Sequence, residues 1–264
     1  MLDFLQHVDP LYVLSGILVG GLVGMTGVGG GALMTPILVL LFGMHPATAV
    51  GTDLLYASIT KASGSLVHGY NRTVDWRVVG RLALGSIPAT ALTITALYFM
   101  DVDGKATQML ITRVLAFALL FTSLALLVRK PLMQWYSTHI PEMAPDRVRK
   151  LTILTGAILG VLVSLSSVGA GAIGVTALVF LYPKMEARRI VGSDIAHAVP
   201  LTLVAGLGHS ALGLINWHVL GSLLVGSIPA IIVMSIVSAR ASDTAVRVTL
   251  ALVLIAVCVR FWFA

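Results

Sequence analysis

The chain has 264 residues, 58% of them hydrophobic and 11% charged. A soluble domain carries about 25% charged residues, so this chain cannot coat a water-exposed surface and reads as bilayer-embedded, with no segment long and polar enough for a soluble domain. Its net charge of +6 does not indicate a nucleic-acid partner, because the basic residues fall in loops between apolar spans and not on one soluble face.

At the N-terminus, "MLDFLQHVDP" lacks a positive n-region, so no cleaved signal peptide is expected. Two short apolar arms follow, over residues 12–25 and 31–42, joined by the glycine-rich "GMTGVGGGALMTP". Longer spans are predicted over 47–69, 76–100 and 106–128, and a polar stretch over 129–150. The pattern then recurs: arms over 151–166 and 170–182, spans over 187–213, 217–239 and 243–263. An arm of about 14 residues reaches roughly 21 Å as helix, against a hydrocarbon core of about 30 Å. The paired arms are therefore expected to form re-entrant hairpins or strongly tilted short spans.

The recurrence is an internal repeat. "GILVGGLVGMTGVGGGA" matches "GAILGVLVSLSSVGAGA"; "VGTD" matches "VGSD", pairing Asp53 with Asp194; His68 pairs with His209 and Trp76 with Trp217; "GSIPA" recurs unchanged. The reading is an all-α polytopic membrane protein of two repeats, residues 1–128 and 151–264, with 129–150 as a cytoplasmic linker. Each repeat is a broken or re-entrant glycine-rich hairpin plus three transmembrane helices. A hairpin returns to its starting side, so each half makes an odd net number of crossings and the second is expected to be inverted. Walking the chain on that basis puts Arg72, Arg77, Arg129, Lys130, Arg147, Arg149, Lys150, Lys184, Arg188, Arg189, Arg240 and Arg247 on one face, against Lys105 and Arg260 on the other. By the positive-inside rule the first face is cytoplasmic and both termini are periplasmic.

Irregular backbone inside a bilayer is tolerated where protein or a water-filled cavity satisfies it. The second arm of each hairpin begins just after "GGGA" or "GAGA", so its free N–H groups would face mid-membrane with the positive end of the helix dipole, an anion site built without a buried cation. Gly29, Gly30, Gly31, Gly169 and Gly171 would admit the ligand, and Thr26, Ser166 and Ser167 would add hydroxyl donors. The alternative is that the glycines serve only close helix packing.

Of the eleven acids, only Asp53 and Asp194 lie inside predicted spans. A charge there costs about 2.5–3.5 kcal/mol on insertion scales, so proton or substrate work is one reading and a carboxylate capping helix backbone is the other. Lys61, eight residues after Asp53 and near the same face, either attracts an anion or pairs with an acid. His197 is a further proton-coupling candidate, whereas His68 and His209, near span ends, read as interfacial. Cys258 is the sole cysteine, which excludes an internal disulfide and a thiolate cluster. No catalytic set, metal or cofactor is expected.

At "GLVGMTGVGGGALMTPIL", "AVGTDLL", "HGYNRTVDW" and "GSIPA", with their echoes in the second half, the chain resembles the sulfite exporter TauE/SafE family, of the toluene sulfonate uptake permease superfamily. The resemblance implies a multi-pass bacterial inner-membrane protein that moves small anions, often sulfite or organosulfonates. The second copy departs from the glycine-rich pattern at Ser167 and Ala170. The expected function is a secondary exporter of a small sulfur-containing anion: no GxxxxGK[ST] element is present, so the energy is expected from an ion gradient or the substrate's own, with protons the expected coupling ion. An anion channel is the alternative, and an intramembrane enzyme a remoter one, since no GxSxG element accompanies the Ser, His and Asp residues. The expected partners are the anion, protons and lipid.

Overall fold

Apolar runs bounded by glycine, proline and polar caps become helices throughout the computed structural model, which describes residues 9–26, 32–70, 73–102, 104–139, 143–237 and 243–263. In the first half these are α1 (Pro10–Thr26), α2 (Met34–Leu40), α3 (Pro46–Tyr70), α4 (Trp76–Phe99) and α5 (Lys105–His139). The second half has α6 (Pro145–Ser166), α7 (Ala172–Leu181), α8 (Ala187–Ala211), α9 (Trp217–Val237) and α10 (Asp243–Phe263). No strand occurs among the described residues.

Local chemistry sets several boundaries. Asp75 lies in extended conformation and its side chain accepts from the Arg77 and Val78 amides, starting α4. Asn216, its repeat equivalent, does the same for α9 through the Val219 amide at 3.1 Å. Pro145 opens α6, where its missing N–H is not needed. Ser167 ends that helix in the left-handed region at φ 58°.

Helix lengths correct one expectation. α6 has 22 residues and is long and apolar enough to cross a membrane, as are α4, residues 105–128 of α5, α8 and residues 217–234 of α9. Its apolar run begins at Leu151, but the helix starts six residues earlier, within the charged "PDRVRK". The second arms are the short ones. α2 has 7 residues and α7 has 10, so they reach roughly 10 and 15 Å, about half the hydrocarbon core or less. Each hairpin thus joins a longer first arm to a half-helix, 17 residues before 7 in the first half and 22 before 10 in the second. The joining stretch is also mostly helical, because α5 continues to His139.

The halves interlock by exchanging partners. α1 packs on α9 and α6 packs on α4, so the first arm of each half lies against the fourth helix of the other; α3 pairs with α8, and α5 with α10. Glycines make the close approaches. Gly16, Gly20 and Gly24 lie against the backbone of Leu223, Ser227 and Ile231, while Gly156 and Gly160 lie against Leu82 and Ser86. These are repeat-equivalent pairs, so the internal repeat is also a reciprocity of contacts. For the first arms the packing role of glycine therefore holds. The pair at the centre is α3 and α8: 67% of the most apolar stretch of α8 is buried, against 28% for that of α4. The apolar outer faces of the peripheral helices, such as Leu92 and Phe99 on α4, are left for lipid.

Candidate functional site

The central helix pair carries the "GTD" and "GSD" motifs, and each motif divides its labour by residue. Gly51 and Gly192 lack the Cβ that would otherwise strike the carbonyls of Leu214 and Thr73 in the opposite half. That approach lets Thr52 Oγ1 accept from the Asn216 amide at 3.0 Å and Ser193 Oγ accept from the Asp75 amide at 2.8 Å. The hydroxyl of each motif therefore clasps the loop that caps the opposite half's fourth helix. The next residue, turned about 100° round the helix, is the aspartate, and it points inward.

Both aspartates are sealed from the surface, Asp53 at 0% and Asp194 at 1% exposure. Asp53 Oδ2 accepts from the Thr35 amide at 3.1 Å and from Thr35 Oγ1 at 2.5 Å, in the first turn of α2. Asp194 lies against Gly174 in the first turn of α7, where a Cβ would overlap its Oδ1. Each carboxylate thus rests on the N-terminal turn of its own half's short arm, where the helix dipole favours negative charge. For Asp53 the capping alternative takes a particular form: the carboxylate accepts from the first turn of the neighbouring half-helix and not from its own helix.

Lys61 links the two halves. Its ammonium donates to the Ala170 carbonyl in the second hairpin turn at 3.0 Å and interacts electrostatically with both Asp53 and Asp194. Thr202, the equivalent of Lys61, turns back to the Ala198 carbonyl of its own helix at 2.8 Å. The Ser167 hydroxyl, held by its left-handed backbone, faces the Asp53 carboxylate and completes no hydrogen bond among the described residues. The cluster therefore combines two carboxylates, one ammonium and one hydroxyl at the inner ends of two half-helices.

A second polar layer surrounds it. His197 Nε2 meets Ser86 Oγ at 2.9 Å, and Lys61 acts on that imidazole electrostatically. At the equivalent place in the other half, the Tyr56 hydroxyl faces Ser227. His209 Nε2 lies 2.9 Å from the Ser164 carbonyl; a carbonyl only accepts, so this nitrogen carries the proton. That histidine is fully buried, which corrects its interfacial reading: it anchors the end of α6 from inside. The His68 side chain lies outside the described residues.

The other expected site residues divide by role. Gly169 and Gly171 sit at φ +122° and +137°, so they serve the sharp turn, a conformation that side chains disfavour. Ser166 spends its hydroxyl on the Leu162 carbonyl at 2.6 Å and accepts from the Val168 amide; it shapes the hairpin. Thr26 is the last residue of α1, and Gly29, Gly30 and Gly31 lie outside the described residues. Sequence reasoning missed Thr35, Tyr56, Ser86 and Ser227. The repeat alignment held the signal for three of them, because Tyr56 aligns with His197 and Ser86 with Ser227. Among the described residues, no three of His, Cys, Asp or Glu converge as metal ligands would.

The family profile described as "Sulfite exporter TauE/SafE" matches residues 12–261. A protein of Bacillus subtilis named "Probable membrane transporter protein YjnA" is 37% identical over 244 residues, covering 92% of this chain and 95% of its own length. A "Probable membrane transporter protein" of Xylella fastidiosa is 27% identical, over 81% of this chain and 78% of its own. No solved structure matches the chain.

Proposed function

This chain belongs to the sulfite exporter TauE/SafE family and is a membrane transporter, and from that premise we propose that it is a secondary exporter of a small sulfur-containing anion, such as sulfite or an organosulfonate, coupled to protons. The observation that carries the proposal is the shared position of Lys61, which faces both Asp53 and Asp194 while touching the second hairpin turn. With both carboxylates ionised, the cluster holds one negative charge net and repels an anion. Protonating one carboxylate makes it neutral, and protonating both makes it positive. Proton uptake and anion binding then support each other, with Lys61 the anion's counter-charge and Ser167 a donor.

Alternating access follows in this reading from the reciprocal packing of two inverted halves, each half-helix and its aspartate serving one face of the membrane. The basic loops mark the cytoplasmic face of a bacterial inner membrane and both termini lie outside. The family and its relatives are transporters, so we read no enzymatic activity here.

The test is counterflow in proteoliposomes against sulfite, sulfonates and carboxylates, with a pH gradient imposed. Asp53→Asn and Asp194→Asn should abolish pH-driven transport and leave anion exchange measurable. Normal pH-driven rates in both variants would refute the proton role. Failure to accumulate any anion against its gradient, with conduction intact, would favour a channel.

A further inference from the structure

Equivalent positions at the outer ends of the two short arms carry different chemistry. At the end of α2, Phe42 packs on Tyr12 with ring centroids 4.3 Å apart, and Ser222 on α9 accepts from the Asp9 amide at 3.3 Å. These three positions correspond to Tyr182, Thr152 and Arg81 at the end of α7. There the aromatic contact is replaced by a hydrogen-bonded chain. Arg81 Nη1 donates to the Tyr182 hydroxyl at 3.2 Å, which lies 2.8 Å from Thr152 Oγ1. Thr152 gives its one proton to the Val148 carbonyl at 2.7 Å, so the Tyr182 proton must go to Thr152 and Tyr182 must accept from Arg81. The direction of every bond is fixed, and the guanidinium keeps its remaining donors.

Those donors face a cavity of about 410 Å³ lined by Arg81, Val148, Phe180, Tyr182, Lys184 and Met185 among others. The neighbouring Arg189 is paired with Asp75 at 2.9 Å. Arg81 has no carboxylate partner among the described residues. A guanidinium with free donors in a partly apolar chamber is suited to a planar or tetrahedral oxyanion. α7 runs from Tyr182 at the chamber to Gly171 and Gly174 at the central cluster, roughly 15 Å for its ten residues.

We infer that Arg81, positioned by Tyr182, forms an oxyanion-binding vestibule at the mouth carrying the basic loops, from which a small sulfur oxyanion is loaded toward the centre; the equivalent end of the first half, where Phe42 packs on Tyr12, has no such station among the described residues. This inference rests on the transporter reading above and adds a side to it: anion capture is asymmetric because the repeats diverge at these three positions.

The test measures half-saturation for sulfite and for methanesulfonate from each face, in inside-out and right-side-out vesicles. Arg81→Gln should raise half-saturation on the order of tenfold from the basic-loop face and leave the other face unchanged, since a charged hydrogen-bond donor is lost at one mouth alone. Arg81→Lys should retain part of the effect. Tyr182→Phe, which keeps the ring and frees the guanidinium, should shift the same side by a smaller factor and guards against a folding artefact. Equal half-saturation of Arg81→Gln and wild type from both faces, or an equal rise on both, overturns the vestibule while the transporter reading stands. Absence of wild-type flux for either anion would instead refute the parent reading. Reconstitution in phosphatidylcholine alone separates a soluble anion from a lipid headgroup: an Arg81 effect that appears only when phosphatidylglycerol is present assigns the chamber to lipid and overturns the inference.

Discussion

Two glycines on α4 should respond to the same substitution with opposite signs. Gly80 is exposed, and a Cβ built there meets nothing within 4 Å. Gly80→Ala should therefore be neutral or stabilising, by up to about 0.5–1 kcal/mol, from the lower chain entropy of alanine in a helix. Gly85, five residues on, is buried against α6, and a Cβ there would fall 2.7 Å from the Ala157 nitrogen and closer still to the Ile153 carbonyl oxygen. Real Cβ atoms essentially never come inside 3.0 Å, and the obstacle is helix backbone, which cannot rotate aside. The helices must part by roughly 1 Å, and overpacking of this kind costs about 1–3 kcal/mol. At about 2–4 °C per kcal/mol for chains near this size, Gly85→Ala should unfold several degrees below wild type. Thermal unfolding of the detergent-purified variants, followed by size-exclusion chromatography, reads both. A Gly85→Ala protein as stable as Gly80→Ala would refute the apposition of α4 and α6, and with it the exchange of partners between halves.

Three further outcomes are expected. Ser193→Ala leaves the Asp75 amide without its acceptor and should lower stability by about 1–3 kcal/mol, seen as an earlier thermal transition; an unchanged transition would remove the hydroxyl clasp. Gly171→Ala forces a side chain into φ +137° and should lose about 1–3 kcal/mol with impaired anion exchange, and a wild-type exchange rate would show that the hairpin turn is not part of the site. With a membrane-impermeant thiol reagent on intact cells, Lys105→Cys should label from outside and Arg147→Cys should not; equal labelling would overturn the orientation read from the basic loops.

The repeat made the element order legible, because Asp, Trp, His and Pro recur at matched positions and membrane composition alone does not place them. It also made the short second arms legible, since the apolar runs there are bounded by glycine turns and by "GMHPA" or "PKMEARR". The length of α6 was not, because hydropathy marks where apolar residues begin, and a helix extends into charged residues once Pro145 has started it. Nor was the seating of Asp53 on Thr35: a sequence shows which helix carries a carboxylate but not which helix's end it meets. His209 was misread for a related reason, since a position near a span's end is buried when another element, here the end of α6, covers it.

The exchange of partners between halves has a consequence for how the chain is assembled. A ribosome delivers α1 with its glycine stripe long before its partner α9 exists, since Gly16 awaits Leu223. α4 and α6, by contrast, are separated only by α5, so their contact is the first interlock available as synthesis proceeds. The molecule must then close from its middle outward: α4 with α6, next α3 with α8, and last α1 with α9 and α5 with α10. Neither half can finish its own fold, and a chain truncated before α9 would leave α1 alone in the bilayer with a groove shaped for a helix that was never made.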